Sequence, residues 1–183
     1  MKISQKLIAL AVFALLGLHF ASPAHAQQVP IKIAVVDMEQ VLIKSTAPKS
    51  IREQVNKIRS QYRSEVKKEE TALHQANQSL AQKKTLLSQE AFKEERRKFE
   101  QKVLGVQKKV QQKNLSLQKA QNAAQAKVKQ ALSKVVIALA QQQGFTLVLR
   151  RAQTIVVAEQ FDITNQVITE LNKTLPKVVV TTK

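Results

Sequence analysis

The chain contains no cysteine and no tryptophan, and its 183 residues include only three glycines and three histidines. Without cysteine no disulfide can form, so packing or oligomerisation must stabilise the fold. His19 and His25 lie in an N-terminal segment that we expect to be removed, which leaves His74 alone in a polar run. Nucleophilic triads and histidine-bearing metal sites are therefore not expected, and no glycine-rich nucleotide motif occurs. The sequence predicts a protein that is not an enzyme and has no cofactor or metal.

The first 26 residues are typical of a secretory signal peptide. Lys2 and Lys6 precede an apolar run over residues 7–21, and Ala24-His25-Ala26 forms an A-x-A cleavage site. The run is shorter than the ~20 residues that span a bilayer core, so an uncleaved anchor is the less favoured alternative. We expect cleavage after Ala26 and an exported, soluble product.

Acidic residues are missing from a long stretch of the chain. Residues 101–158 contain eight lysines, two arginines and no aspartate or glutamate, and the whole chain has a formal charge of +17. Loss of Lys2 and Lys6 lowers the formal charge to +15. An ordinary exposed helix gains a few tenths of a kcal/mol from each Glu–Lys pair at i,i+4. The absence of acids indicates a positive field offered to an acidic partner.

The segment IKIAVV at residues 31–36 alternates apolar residues with Lys32 and Ala34, which predicts a strand. Asp37 is expected to cap a short helix that contains Val41, Leu42 and Ile43. Pro48 suits the first turn of the next helix, where its missing N–H costs nothing.

Residues 48–143 carry apolar positions in steps of three and four, the spacing of a coiled coil. Ser88 is expected to cap a second helix, and Gly144 to follow its C-terminus. We predict two helices of about 60 Å and 80 Å, at 1.5 Å per residue, joined by a two- or three-residue turn into an antiparallel hairpin. The larger apolar side chains of the second helix are expected mainly in the seam, with shallow hydrophobic contacts to a partner as the alternative; these are Phe92, Phe99, Leu104 and Leu115.

After Gly144 the apolar period changes. The runs FTLVLRR and TIVVAEQ, separated by RAQ, predict a strand, a turn and a second strand. Asp162 or Thr164 is expected to cap a final amphipathic helix that ends before Pro176. Short strands expose sheet edges that a soluble protein must pair or cover, so we expect oligomerisation through them.

The predicted fold class is α+β, a small body of strands with one long helical arm per subunit. The body is expected to consist of residues 27–47 and 144–183, the latter with two strands and the C-terminal helix. The arm spans residues 48–143, with its tip near residues 86–90.

The order of these parts resembles the Skp/OmpH family of periplasmic chaperones. The most specific pieces are the motif IAVVDM at residues 33–38, the segment GFTLV at residues 144–148 and DIT at residues 162–164. The resemblance covers residues 31 to about 177, essentially the whole mature chain. No motif here fixes the register of a lipopolysaccharide site.

This resemblance implies a homotrimer in which strands of three subunits form a barrel-like body and three arms surround a cavity. In the family, that cavity holds unfolded outer-membrane proteins without ATP. The residues assigned to the trimer body are Ile33, Val35, Leu147, Leu149, Ile155 and Val157. The lysines assigned to client binding on the basic arm face are Lys102, Lys108, Lys109, Lys113, Lys119, Lys127 and Lys129.

Three alternatives follow from the same residues. A lysine-rich helix is also the electrostatic footprint of a nucleic-acid-binding protein. The signal peptide, the few aromatic residues for base stacking and the excess of Lys over Arg favour only adventitious, salt-sensitive binding to nucleic acid. A tether to anionic lipid, lipopolysaccharide or a cell-wall polymer would suit the basic arm, but the strand body does not argue for it. A plain spacer coiled coil is the third, less favoured alternative.

Overall fold

The computed structural model describes residues 30–182, most of which are helical. The elements are β1 (Ile33–Val36), α1 (Met38–Lys44), α2 (Thr46–Lys83), α3 (Gln89–Gln143), β2 (Leu147–Arg150) and α4 (Thr164–Thr174). The predicted signal peptide and its cleavage site after Ala26 lie outside the described residues. From Ile31 onward the chain forms one compact unit. A search of the described helices finds none with the length and apolar character that a membrane span needs.

The strands β1 and β2 form a two-stranded parallel sheet, in which Ile33 pairs with Leu147 and Val36 with Arg150. On the other side of β1, Val35 forms a single parallel bridge with Asp162, and the Ile163 amide donates to the Val35 carbonyl at 3.0 Å. The strand predicted at residues 31–36 is therefore confirmed, although it begins two residues later.

The second strand predicted after β2 does not pair with any strand of the described chain. The chain turns through a 3-10 segment at Arg151–Gln153, and residues 154–158 have no strand pairing within the described chain. A strand needs a neighbour for its backbone groups, and β1 is already flanked by β2 and Asp162. Ile155 is consequently 99% exposed. High β propensity marked this segment, but a single chain offers it no partner.

Local capping sets the helix boundaries that the sequence predicted. The Asp37 side chain accepts from the Gln40 amide at the start of α1, and the Ser88 side chain accepts from the Ala91 amide at the start of α3. Gly144 ends α3 in the left-handed conformation, with φ of 70°. The Phe145 amide then donates to the Ala140 carbonyl at 2.9 Å, which completes a Schellman motif.

Other boundaries depend on contacts that are distant in sequence. The Asn172 side chain of α4 accepts from the Thr46 amide at 2.8 Å and so satisfies the first turn of α2. No side chain caps α4 at Ile163, but the Asp162 carboxylate accepts from the Thr164 amide at 2.8 Å. The turn between the long helices spans residues 84–88 and is longer than the predicted two or three residues. Helix α4 ends two residues before Pro176, as expected.

The buried apolar residues form two clusters. The body cluster joins β1, α1, the last turns of α3 and α4; it contains Ala34, Val36, Val41, Leu132, Val135, Leu139, Ile163, Val167 and Leu171. The arm-root cluster joins the start of α2, the middle of α3 and the C-terminal tail; it contains Ala47, Ile51, Val55, Leu117, Ala120, Ala124, Val128, Val178 and Val180. Helix α3 contributes to both clusters and so connects them.

Beyond the arm-root cluster the two long helices continue without a core. No side chain between residues 56 and 116 is buried. Helices of 38 and 55 residues extend about 57 Å and about 82 Å at 1.5 Å per residue. The distal arm therefore depends on half-buried seam residues. Low buried apolar content is the property of a region with low local stability.

Candidate functional site

The lysines of α3 form two groups around the helix, because residues three or four apart share a face. Lys109 and Lys113 lie beside the seam with α2. Lys108, Lys119 and Lys129 lie on the side that faces away from the seam, and all three are exposed. The groups therefore differ in the counter-charges that they can reach.

The seam lysines are ion-paired with α2. Lys109 Nζ lies 2.6 Å from a Glu69 carboxylate oxygen, and Lys113 Nζ lies 2.5 Å from Glu65. The hydrogen bond from Lys109 lowers the pKa of Glu69 and raises the pKa of Lys109, and the hydrogen bond from Lys113 lowers the pKa of Glu65. Lys113 Nζ also lies 4.2 Å from the centre of the Tyr62 ring, a cation–π contact.

These pairs correct one interpretation of the sequence, that the basic stretch has no internal counter-charges. Residues 101–158 lack acids, but α2 supplies them across the seam. Moving four residues along α2 from Glu65 to Glu69 matches four residues back along α3 from Lys113 to Lys109, so the helices run in opposite directions. Folding the sequence back at residue 89 would have placed Glu65 opposite Lys113.

The outward lysines Lys108, Lys119 and Lys129 have no ion pair with any described residue, and neither does the exposed Lys127. Lys102 also has no ion pair, but its charge helps to lower the pKa of Glu69. Of the seven lysines assigned to client binding, two are thus paired, one lies near a carboxylate and four have no ion pair in the described part of the chain.

The arm tip carries a separate charge cluster. Glu95 pairs with Lys83 across the turn and with Lys98 on its own helix, at 2.5 and 2.9 Å. The hydrogen bonds from Lys83 and Lys98 lower the pKa of Glu95 to about 2, and Glu95 raises the pKa of Lys98. At the tip, the two helices are thus linked by an ion pair, and no side chain of residues 81–91 is buried.

Apolar groups and arginines also face solvent along the arm. Phe92 and Phe99 are half-buried in the seam as expected, but Leu104 and Leu115 are exposed and do not pack there. An open groove of about 740 Å³ between α2 and α3 is lined by Tyr62 and by basic residues that the sequence did not single out, Arg59, Arg63 and Lys67. These cations lie on one face of α2 because they recur every four residues.

The residues assigned to the trimer body lie on one face of the small sheet and in the segment after it. Val35 is buried and Ile33, Leu149 and Val157 are half-buried, while Leu147 and Ile155 are exposed. The opposite sheet face, with Ala34 and Val36, packs into the body cluster. The structure therefore brings Ile33, Val35, Leu147 and Leu149 together through the register of β1 and β2, and leaves Ile155 apart from the core.

No group of three or more His, Cys, Asp or Glu side chains suited to a metal ion occurs among residues 30–182. The basic arm and the apolar sheet face are the two features on which a function can be argued.

The chain was compared with known proteins. Residues 32–171 match the family model described as outer membrane protein, OmpH-like. No curated protein matches the sequence. Among solved structures, an OmpH-like protein from Caulobacter crescentus CB15 superposes with a TM-score of 0.78 at 21% identity, over 84% of this chain and 90% of that one. At this identity the superposition shows the shared fold alone, whereas the family model spans most of the sequence. The chain belongs to the OmpH-like family.

Proposed function

We propose that this protein is an ATP-independent periplasmic holdase. In this proposal three copies associate through their strand bodies, and their arms surround a cavity that receives unfolded outer-membrane β-barrel proteins and prevents their aggregation. The family assignment and the description of the Caulobacter crescentus neighbour as a candidate outer membrane chaperone support this role. The export that it requires rests on the predicted signal peptide.

The observation that carries the proposal is the surface of the arm. Lys108, Lys119, Lys127 and Lys129 have no ion pair with a described residue, and Leu104 and Leu115 are exposed among them. One exposed charge at ~10 Å attracts its opposite by only about 0.4 kcal/mol in water. Many weak contacts on three arms bind an extended client because each additional contact becomes intramolecular.

The same surface suits an aggregation-prone client better than a duplex. Arginine forks are the preferred groups for bidentate base recognition, whereas the outward face of α3 offers lysine point charges and leucines. Membrane-spanning β-strands alternate apolar and polar residues, so an unfolded barrel presents both chemistries to such a face. Binding of nucleic acid would engage the lysines and leave the leucines unused.

The test is suppression of aggregation of a urea-unfolded outer-membrane barrel protein on dilution, followed by light scattering without nucleotide. We expect suppression at near-stoichiometric trimer. The K108E/K119E/K129E variant should lose most of it, because three attractive contacts per arm become repulsive.

The matched control is K44E/K49E/K57E, which changes the formal charge equally with exposed lysines at the arm root and body. It should suppress aggregation more strongly than the arm variant does. Unchanged aggregation in the presence of the wild-type protein, combined with duplex DNA binding at 150 mM salt, would instead establish the nucleic-acid alternative.

A further inference from the structure

The C-terminal tail, residues 176–182, lies along the root of the arm and extends beyond the matched family region, which ends at residue 171. Val178 and Val180 are buried in the arm-root cluster, whereas Val179 between them is 65% exposed. Alternate burial is the pattern of an extended strand that places every second side chain into a surface. The tail therefore occupies its groove as a peptide ligand would.

The groove has room for the tail because small side chains line it. Ala47, Ala120 and Ala124 are all buried, and the larger Ile51 and Leu117 also belong to this cluster. Because alanine side chains are short, α3 leaves space for the tail beside α2. Replacing them with larger residues would fill the space that the two valines occupy.

A single glutamine binds the backbone of the tail. Gln54 Nε2 donates to the Val178 carbonyl at 2.7 Å, and Gln54 Oε1 accepts from the Val180 amide at 3.0 Å. The Val178 carbonyl and the Val180 amide lie on either side of Val179, and a neighbouring β-strand would form hydrogen bonds with the same two groups. Gln54 Nε2 also donates to the Ser50 hydroxyl oxygen at 3.0 Å, a contact within α2 that supports the orientation of the amide group.

This recognition is independent of the tail's exact sequence. Main-chain hydrogen bonds provide affinity for any extended peptide, and pockets for alternate side chains select apolar residues at i and i+2. Past Thr181, the groove continues as an open depression of about 730 Å³ whose lining includes Leu115, Lys119 and Ala123. A longer peptide would thus reach from the groove onto the basic arm.

We propose that the groove at the arm root is a binding site for extended peptide segments with alternating apolar residues, and that the C-terminal tail is its built-in competitor. Unfolded barrel strands carry this alternation, so a client displaces the tail when it binds. The identity of the competing client rests on the proposed function, whereas the site itself rests on the contacts of the tail.

The first experiment uses a fluorescently labelled synthetic peptide, PKVVVTTK, which reproduces residues 176–183. It is titrated into the full-length mature protein, into V178D/V180D and into the control V179D, and its anisotropy is measured. V178D/V180D should bind the peptide about tenfold or more tightly than the other two proteins, because its own tail no longer occupies the groove at millimolar effective concentration. Adding Q54A to V178D/V180D should weaken this binding.

Equal affinity of the peptide for all three proteins would overturn the site, as would no binding to V178D/V180D with a wild-type circular dichroism spectrum. A second measurement needs no variant and decides the question if V178D/V180D does not fold. Hydrogen exchange of the Val180 amide in the wild-type protein should accelerate about tenfold or more when a urea-unfolded barrel protein is bound. An unchanged exchange rate in a complex that light scattering has verified would overturn the competition. Failure of the aggregation assay would disprove only the identity of the client and would not affect the peptide-binding result.

Discussion

Glu65 and Glu69 on α2 control how much of the positive charge of α3 is available to a partner. Each neutralises one seam lysine, and each ion pair lies at the surface, where such pairs contribute little to stability. They are better understood as setting the field of the arm than as holding it together. Replacing both glutamates would leave Lys109 and Lys113 without their ion-pair partners, although neither lysine is itself changed.

We therefore expect E65Q/E69Q to bind an unfolded acidic barrel protein roughly two- to fourfold more tightly at low salt, with a steeper salt dependence. The measurement is a binding isotherm at two salt concentrations. The control E53Q/E70Q raises the formal charge equally but removes carboxylates that have no ion pair in the described chain. Identical gains in the two variants would mean that net charge, rather than the release of Lys109 and Lys113, determines affinity.

Glu95 at the arm tip gives a pH-dependent prediction. Its pKa falls from the ordinary 4.5 to about 2 because Lys83 and Lys98 hydrogen-bond its carboxylate. A lowered carboxyl pKa stabilises the folded tip fully above pH about 4.5, and the contribution disappears as the pH falls to about 2. An NMR titration of the Glu95 carboxyl should have a midpoint near 2.

Replacing Lys83 with methionine removes the largest cause of this shift, so K83M should move the Glu95 midpoint upward toward 4.5. Lys84 is the matched control, because it is an exposed neighbour without an ion pair in the described chain. A midpoint that moves equally in K83M and K84M would contradict the role of the direct hydrogen bond.

At the scale of elements, α3 joins the body to the arm. Replacement by alanine should have opposite effects on stability at its two glycines, Gly105 within the helix and Gly144 directly after it. Gly144 lies at φ of 70° in the Schellman motif, a conformation that side chains disfavour, whereas Gly105 lies in the exposed helix interior with open space around it. G144A should therefore lower the free energy of unfolding by about 1 kcal/mol, and G105A should raise it by roughly 0.5–1 kcal/mol.

Urea denaturation at one fixed protein concentration measures both changes, since association alters the apparent stability. Both variants replace a glycine of the α3 region with alanine, and the backbone conformation at the two positions is the difference that the comparison tests. A stabilising G144A would show that the end of α3 is not held in the left-handed conformation in solution.

Sequence reasoning predicted those elements whose signals are local. The caps at Asp37 and Ser88, the end of α3 at Gly144 and the end of α4 before Pro176 each depend on residues within one turn of the boundary. Coiled-coil spacing likewise predicted the long helices, because an apolar repeat of 3.5 residues does not match the two-residue repeat of a strand.

Elements that depend on distant partners were not predictable in the same way. Residues 154–158 have strand-forming side chains, but the described chain contains no neighbouring strand with which they pair. Asn172 caps α2 across more than one hundred residues, and Gln54 binds the tail across a similar separation. The pairing of Glu65 with Lys113 was accessible in principle, since it requires only the position of the turn.

At the scale of the whole molecule, one chain leaves apolar surface that it does not cover itself. Ile155 and Val156 are almost fully exposed, and Leu147 and Phe161 are partly exposed. Strand β2 has one edge without a partner in the described chain, and such edges are usually paired or covered. These features agree with the proposal that copies associate through the strand body, with the arms left free.

The central claim is that three bodies associate and that their arms together hold an unfolded client. Light scattering coupled to size-exclusion chromatography, with and without a urea-unfolded barrel protein, tests it most directly. The account predicts three times the mass of the mature chain alone, and a higher mass that includes client after mixing. A species with the mass of one chain under both conditions would contradict it.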